Sequence, residues 1–205
     1  YWKLADGSGA EERLTTSEFS PGASSASPDG QTLAFENRSG SNQDIWILPF
    51  QGERKPRPFF QTPFSESSPR FSSDGRWLAY SSNESGQSEI YVQPFPGPGG
   101  KVLISTDGGT EPIWSRNGRE LFYRNGEKMM VLDIQTQPAL KAGAPRMLFE
   151  RRSFVPGTRQ YDAAPDGQGF LMTKASESAE TALTQINVVL NWFEELQRRV
   201  PISSR

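Results

Sequence analysis

One short phrase recurs four times along the chain, and this repeat constrains the fold more than any single residue does. The copies read SPDGQTLAF, SSDGRWLAY, SRNGRELFY and APDGQGFLM, at 27–35, 72–80, 115–123 and 164–172. From the residue before one shared glycine to the next, the steps are 45, 43 and 49 positions. A period of roughly 40 to 50 residues is typical of four-stranded propeller blades. The sequence therefore predicts a repeat array.

Each copy predicts a β-hairpin. Apolar and polar residues alternate before and after a tight turn, which places successive side chains on opposite faces of a strand. At the turn an aspartate or asparagine can accept hydrogen bonds from the backbone ahead of it, and a glycine supplies a positive φ. These structural turn positions are Asp29, Gly30, Asp74, Gly75, Asn117, Gly118, Asp166 and Gly167.

Two further strands follow the hairpin in the first three copies. The third strands are QDIWILPF, SEIYVQPF and EKMMVLDI, and the weaker fourth strands are PRPFFQT, KVLIST and PRMLFER. Four strands in meander order make one blade. The expected fold is all-β, a partial β-propeller of about four blades of four-stranded antiparallel sheets with a short C-terminal helix.

The repeat register divides the chain, which we expect to be a single propeller segment over 1–205. Its predicted parts are a half blade (1–19), three blades (20–63, 64–107 and 108–153), a last blade (154–192) and a helix (193–200). Asn191 can cap this helix with Glu194 as its capping-box partner, and Pro201 stops it.

Composition excludes several classes of function. The chain has no histidine and no cysteine, so imidazole bases, Ser-His-Asp triads, thiolate nucleophiles and His- or Cys-ligated metals are ruled out. The net charge is −2 with no run of like charges, which argues against nucleic-acid binding. No stretch approaches the roughly 18 apolar residues of a membrane span. We expect no catalytic residue, cofactor or metal, and no direct membrane insertion.

The phrase S-x-D-G-x-x-L-A-[FY], followed by a [DE]-I-[WY]-V-type strand, resembles the WD-type propeller repeat of TolB, the periplasmic component of the Tol-Pal system. The same repeat occurs in the propellers of prolyl oligopeptidase-type peptidases. The stretches GGTEPIWSRNGRELFYRNGEKMMVLDI, YDAAPDGQGFLM and INVVLNWFEELQRRVP are similar to the C-terminal part of bacterial propeller proteins, many of which carry a serine/threonine kinase domain. The resemblance spans nearly the whole chain, through turn and packing positions.

This resemblance implies an extracytoplasmic sensing or scaffolding propeller that binds a protein or peptide. Propellers of this family commonly recognise partners at the channel mouth, with loops that lead into the innermost strands. Here those loops are at 62–69, 106–112 and 155–162. The candidate contact residues in them are Glu66, Glu111, Arg159 and Tyr161.

Two functions remain open at this point. The first is a non-catalytic TolB-like binding module, forming part of a larger bacterial protein. The second is an accessory propeller domain of a multidomain enzyme, either a kinase or a peptidase, although no kinase motif is present in these residues. An arc of about four blades leaves blade edges exposed. The N-terminal strands could cover them by completing the last blade and closing a small ring, or two copies of the chain could self-associate through those edges, which is the arrangement we expect.

Overall fold

The structure, a computed structural model, describes residues 1–14, 22–39, 42–151, 161–164, 167 and 169–173. The described residues form antiparallel sheets in meander order, so the prediction of an all-β partial propeller is confirmed. The predicted third strand of the last repeat and the helix at 193–200 lie outside the described residues, as does Asp166. Within the described ranges no helix is long and apolar enough to cross a membrane.

Four groups of strands follow one another along the chain. Sheet 1 contains β1 (Gly22–Ala26), β2 (Thr32–Ser39), β3 (Asn42–Pro49) and β4 (Arg57–Pro58). Sheet 2 contains β5 (Glu66–Phe71), β6 (Trp77–Ser82), β7 (Glu89–Pro94) and β8 (Val102–Leu103). Sheet 3 contains β9 (Thr110–Trp114), β10 (Glu120–Asn125), β11 (Lys128–Gln135), β12 (Lys141–Ala142) and β13 (Arg146–Glu150). The fourth hairpin contains β14 (Tyr161–Ala163) and β15 (Phe170–Met172).

The meander gives every sheet two distinct ends. At the turn end, the repeated phrase joins the first strand to the second. At the loop end, the second strand turns into the third, and the chain enters the first strand of the next sheet. Turn ends of neighbouring sheets lie together, since a Cβ added at Gly75 would lie 3.5 Å from Pro28 Cδ in the preceding turn.

Apolar side chains from successive sheets form three clusters, one at each junction. Between sheets 1 and 2 the buried members include Ala34, Ile45, Ile47, Leu78 and Tyr80. Between sheets 2 and 3 they include Ala79, Ile90, Val92, Trp114 and Leu121. Between sheet 3 and the fourth hairpin they include Phe122, Met129, Val131 and Tyr161. Burial of this apolar surface holds each sheet against the next.

The innermost strands share an irregularity near the loop end. The pairing register shifts between β1 and β2, between β5 and β6, and between β9 and β10. In β5 and β9 the shift contains a non-glycine residue with positive φ, Ser68 at 55° and Glu111 at 54°. Side chains with a Cβ rarely adopt this conformation, so surrounding contacts must hold the backbone there.

Candidate functional site

The turn end repeats one hydrogen-bond arrangement in three copies. In the second copy the Ser72 hydroxyl donates to Asp74 Oδ1 (2.6 Å) and accepts from the Trp77 amide (3.0 Å), while Asp74 Oδ1 also accepts from the Arg76 amide (3.1 Å). Ser27 with Asp29 and Ser115 with Asn117 make the same contacts. These polar groups satisfy one another within the turn, which assigns them to local structure.

The turn glycines have φ values that only glycine adopts without strain. Gly30, Gly75, Gly118 and Gly167 lie at φ of 68°, 69°, 68° and 71°. Hydrogen bonds from the Ser27 hydroxyl and the Gln31 amide lower the pKa of Asp29. Burial acts to raise the pKa of Asp74, but hydrogen bonds from Ser72 and from the Arg76 amide outweigh it, so the net pKa is lowered. The charged forms of these carboxyls are therefore stabilised.

Glu66 begins β5 at the loop end, and its side chain is buried with only 2% of the residue exposed. The Thr62 hydroxyl donates to Oε1 at 2.5 Å, whereas Oε2 has no hydrogen-bond partner. Burial raises the pKa of Glu66, against a lowering by Thr62, and the nearby Asp44 and Glu84 carboxylates raise it further. Burial of this carboxyl with one unpartnered oxygen thus disfavours its charged form.

Glu111 and Tyr161 are brought together across the junction between sheet 3 and the fourth hairpin. The Tyr161 hydroxyl donates to the Glu111 carbonyl at 2.6 Å, and Tyr161 is buried. Arg124 Nη1 lies 3.4 Å from Glu111 Oε1 in an ion pair whose side chains are 13% and 20% exposed, respectively. Glu111 Oε2 is buried without a hydrogen-bond partner. These contacts help to hold the positive φ at Glu111.

Sequence reasoning missed Glu36. This residue helps to hold the positive φ at Ser68, as the contacts described above do at Glu111. The Ser68 amide donates to Glu36 Oε1 at 2.6 Å, and the Gln43 carboxamide donates to Glu36 Oε2. The acceptor lies on sheet 1 and the donor on sheet 2. Glu36, Ser81 and Arg124 all stand six positions after a turn glycine, and this change of charge at one repeat position was a signal available in the sequence.

Glu89 is a second buried carboxylate that sequence reasoning missed, and it differs from Glu66 in being fully partnered. It accepts from Gln87 Nε2 (2.7 Å), the Gly108 amide (2.9 Å) and the Ser105 hydroxyl. A cleft of about 390 Å³ lies beside it, lined by Ser85, Gly86, Gln87, Leu103 and Thr106 as well as by Glu89. Because Glu89 is occupied by internal donors, we assign it to structure.

Among the candidate contact residues, Glu111 and Tyr161 touch, Glu66 lies separately beside Thr62, and Arg159 is outside the described residues. The three described candidates are buried or half-buried at the loop end rather than solvated in loops. No group of three or more Asp, Glu, His or Cys side chains that could hold a metal occurs in the part of the chain that the structure describes. The described part of the loop end offers two buried carboxylate oxygens without hydrogen-bond partners, Glu66 Oε2 and Glu111 Oε2.

Sequence comparison assigns the family. The profile of the TolB beta propeller domain matches residues 4–188, so the chain belongs to this family. No functionally curated protein gives a significant match.

Structural comparison agrees with that assignment at the level of the fold. TolB from Acinetobacter baumannii is 20% identical, with a TM-score of 0.67 over 85% of this chain and 42% of that chain. A TolB-type protein from Agrobacterium tumefaciens is 17% identical, with a TM-score of 0.55 over 67% of this chain and 51% of the other. An oligogalacturonate lyase in complex with manganese is 16% identical, with a TM-score of 0.50 over 70% of this chain and 42% of the other. The chain thus spans about half the length of these proteins or less.

Proposed function

We propose that this chain is a non-catalytic binding module of the TolB type, which recognises a protein or peptide partner at the loop end of its sheets. The observation that carries the proposal is the location of the buried side-chain oxygens that lack a hydrogen-bond partner. Every buried side-chain oxygen of the described residues that lacks a hydrogen-bond partner lies at the loop end: Glu66 Oε2, Ser81 Oγ and Glu111 Oε2. Buried polar atoms are normally paired, so a group of exceptions favours a site completed by a partner.

Phe64, two residues before Glu66, provides an apolar anchor on the loop that leads into β5. Its side chain is large and apolar, and the residue remains 38% exposed. The surrounding backbone is fixed from both sides, because the Asn42 carboxamide donates to the Pro63 carbonyl (3.0 Å) and the Ser65 amide donates to Asn83 Oδ1 (2.8 Å). An exposed aromatic side chain on a preorganised loop is well suited to a binding hot spot.

The chemistry of the side chains supports binding rather than turnover. Without histidine or cysteine in the sequence, the loop end has no general base with an ordinary pKa near neutrality. The membership in the TolB propeller family supports a location of this module outside the cytoplasm. Attachment to a kinase or peptidase domain remains a further prediction.

Site-specific photo-crosslinking in the bacterial host tests this proposal. A benzophenone-bearing amino acid at position 64 should give a discrete covalent adduct with one partner protein. The same group at position 103, an exposed leucine at the outer edge of sheet 2, serves as the matched control and should give none. Equal adducts from both positions, or none from position 64, would contradict the proposal. So would hydrolase or lyase turnover by the purified chain.

A further inference from the structure

Glu66 is connected to the proposed binding loop through one side chain. The Thr62 hydroxyl donates to Glu66 Oε1 at 2.5 Å and accepts from the Phe64 amide at 3.2 Å. The next amide, that of Ser65, donates to Asn83 Oδ1 at 2.8 Å, and the Asn83 amide donates to the Ser65 carbonyl at 3.3 Å. The position of Phe64 therefore depends on a short run of hydrogen bonds that ends at a buried carboxyl.

The surroundings of the Glu66 carboxyl do not suit a charge. The residue is 2% exposed, and its Oε2 has no hydrogen-bond partner. The carboxylates of Asp44 on β3 and Glu84 after β6 act on it with the same sign of charge. Lys101 has the opposite sign, but its ammonium group is in an ion pair with Glu84. Ionisation of Glu66 within the packed structure is therefore costly.

The other strands packed on β5 direct their titratable groups elsewhere. Tyr80 on β6 is buried and stays neutral, since burial raises the pKa of its phenol. On β2, Glu36 accepts from a backbone amide of β5, and on β9, Glu111 is paired with an arginine. β1 has no charged residue. Within the described part of the chain, these contacts leave hydration as the way to stabilise a charged Glu66.

We propose that proton binding to Glu66 controls the loop at 62–65: the loop is closed while Glu66 is neutral, and ionisation of Glu66 opens it. The inference rests on the proposed function, in which Phe64 contacts the partner. In the closed loop the Thr62 hydroxyl holds the Phe64 backbone in its binding position. In the open loop water reaches both carboxylate oxygens, and Phe64 is no longer preorganised. The chain should therefore bind its partner more tightly in acid than at pH 8.

Hydrogen exchange of the full chain tests this inference without a partner. The reporters are the Phe64 and Ser65 amides, and each observed rate is compared with the intrinsic rate at the same pH to give a protection factor. Burial raises the pKa of Glu66 from its ordinary value of 4.5, so both protection factors should fall between pH 4 and pH 8. We expect a fall of about tenfold, as for one buried charged oxygen without a hydrogen-bond partner. Urea below the unfolding transition should leave them unchanged, since a local opening exposes little surface.

Two variants and a matched control sharpen the test. Glu66→Gln cannot ionise and should give the same protection factors at pH 4 and pH 8. Glu53→Gln removes a carboxyl from a side chain that is 82% exposed, and it should retain the wild-type fall. Thr62→Val removes the hydroxyl that lowers the pKa of Glu66, so the midpoint of the fall at Ser65 should move to higher pH.

Several results would overturn the proposal: a fall that persists in Glu66→Gln, wild-type protection factors that do not change with pH, a fall that urea deepens, or an unmoved midpoint in Thr62→Val. Any of these together with a discrete adduct from position 64 would leave the binding module intact. If protection depends on pH as expected and position 64 captures nothing, the binding module fails and the loop opening stands. Where both proposals hold, the yield of that adduct should fall from pH 5 to pH 8 in the wild type and stay constant in Glu66→Gln.

Discussion

At the turn end, three consecutive repeats use the same serine, the same acid or amide and the same glycine, and their polar atoms satisfy one another within six residues of chain. At the loop end, the position six residues after each turn glycine is occupied by a different residue in each copy, Glu36, Ser81 or Arg124. Buried oxygens at this end lack hydrogen-bond partners. The two ends also move carboxyl pKa values in opposite directions, lowered for Asp74 and raised for Glu66. The repeated residues therefore stabilise the turns of each blade, whereas the variable residues lie at the end where we propose that a partner binds.

Removing the turn serine should cause the largest loss of stability among the substitutions that compare the two ends. Ser72→Ala leaves the Trp77 amide without its acceptor and takes a donor from Asp74, at a residue that is 1% exposed. We expect the free energy of unfolding to fall by about 1 to 3 kcal/mol, measured by urea denaturation. The exposed neighbour Ser73→Ala is the matched control and should change it little. An equal loss from both variants would remove the distinction between the turn network and ordinary surface serines.

Glu66→Gln should change the pH dependence of stability in a direction particular to the loop end. The pKa of Glu66 is raised by burial, so the wild type loses stability as pH rises from its unfolded value near 4.5 through the folded pKa. The variant cannot ionise, and its stability relative to wild type should therefore improve on going from pH 4 to pH 8. We expect the difference in free energy of unfolding between variant and wild type to change by on the order of 1 kcal/mol across that range, measured by urea denaturation. A flat difference would show that Glu66 is not desolvated.

Asp74→Asn should change the free energy of unfolding least at neutral pH. The pH dependence of this change should be opposite to that of Glu66→Gln. Asn117 occupies the same place in the third copy and makes the same contacts, so the turn should be retained. The lowered pKa of Asp74 stabilises the wild type above its unfolded value near 3.8, and that contribution is lost as pH falls through the folded pKa. The free energies of unfolding of wild type and variant, measured by denaturation between pH 2.5 and 6, should approach each other in acid. The change in their difference should be less than about 1 kcal/mol. If the variant becomes relatively less stable in acid, the sign of the shift is wrong.

Much of the fold could be predicted from the sequence, whereas most of the candidate site could not. The repeated phrases located the hairpins and the order of strands, because alternation and turn chemistry act over a few residues. The same reasoning placed Glu66 and Glu111 on loops leading into innermost strands. It did not anticipate that Glu66 would be buried, or that Glu36 would accept from Ser68. Those facts depend on which sheet faces which.

The sequence by itself determined the turns and the four-stranded repeat, since a serine hydroxyl and an aspartate two residues later reach the same backbone whatever lies beyond them. Only the tertiary structure decided the loop end. The Ser68 amide meets Glu36 across 32 positions, and the Tyr161 hydroxyl meets the Glu111 carbonyl across 50. Contacts of that separation exist only after neighbouring sheets have packed their apolar faces together. The partners of a polar group at this end are therefore set by the junction and not by the repeat.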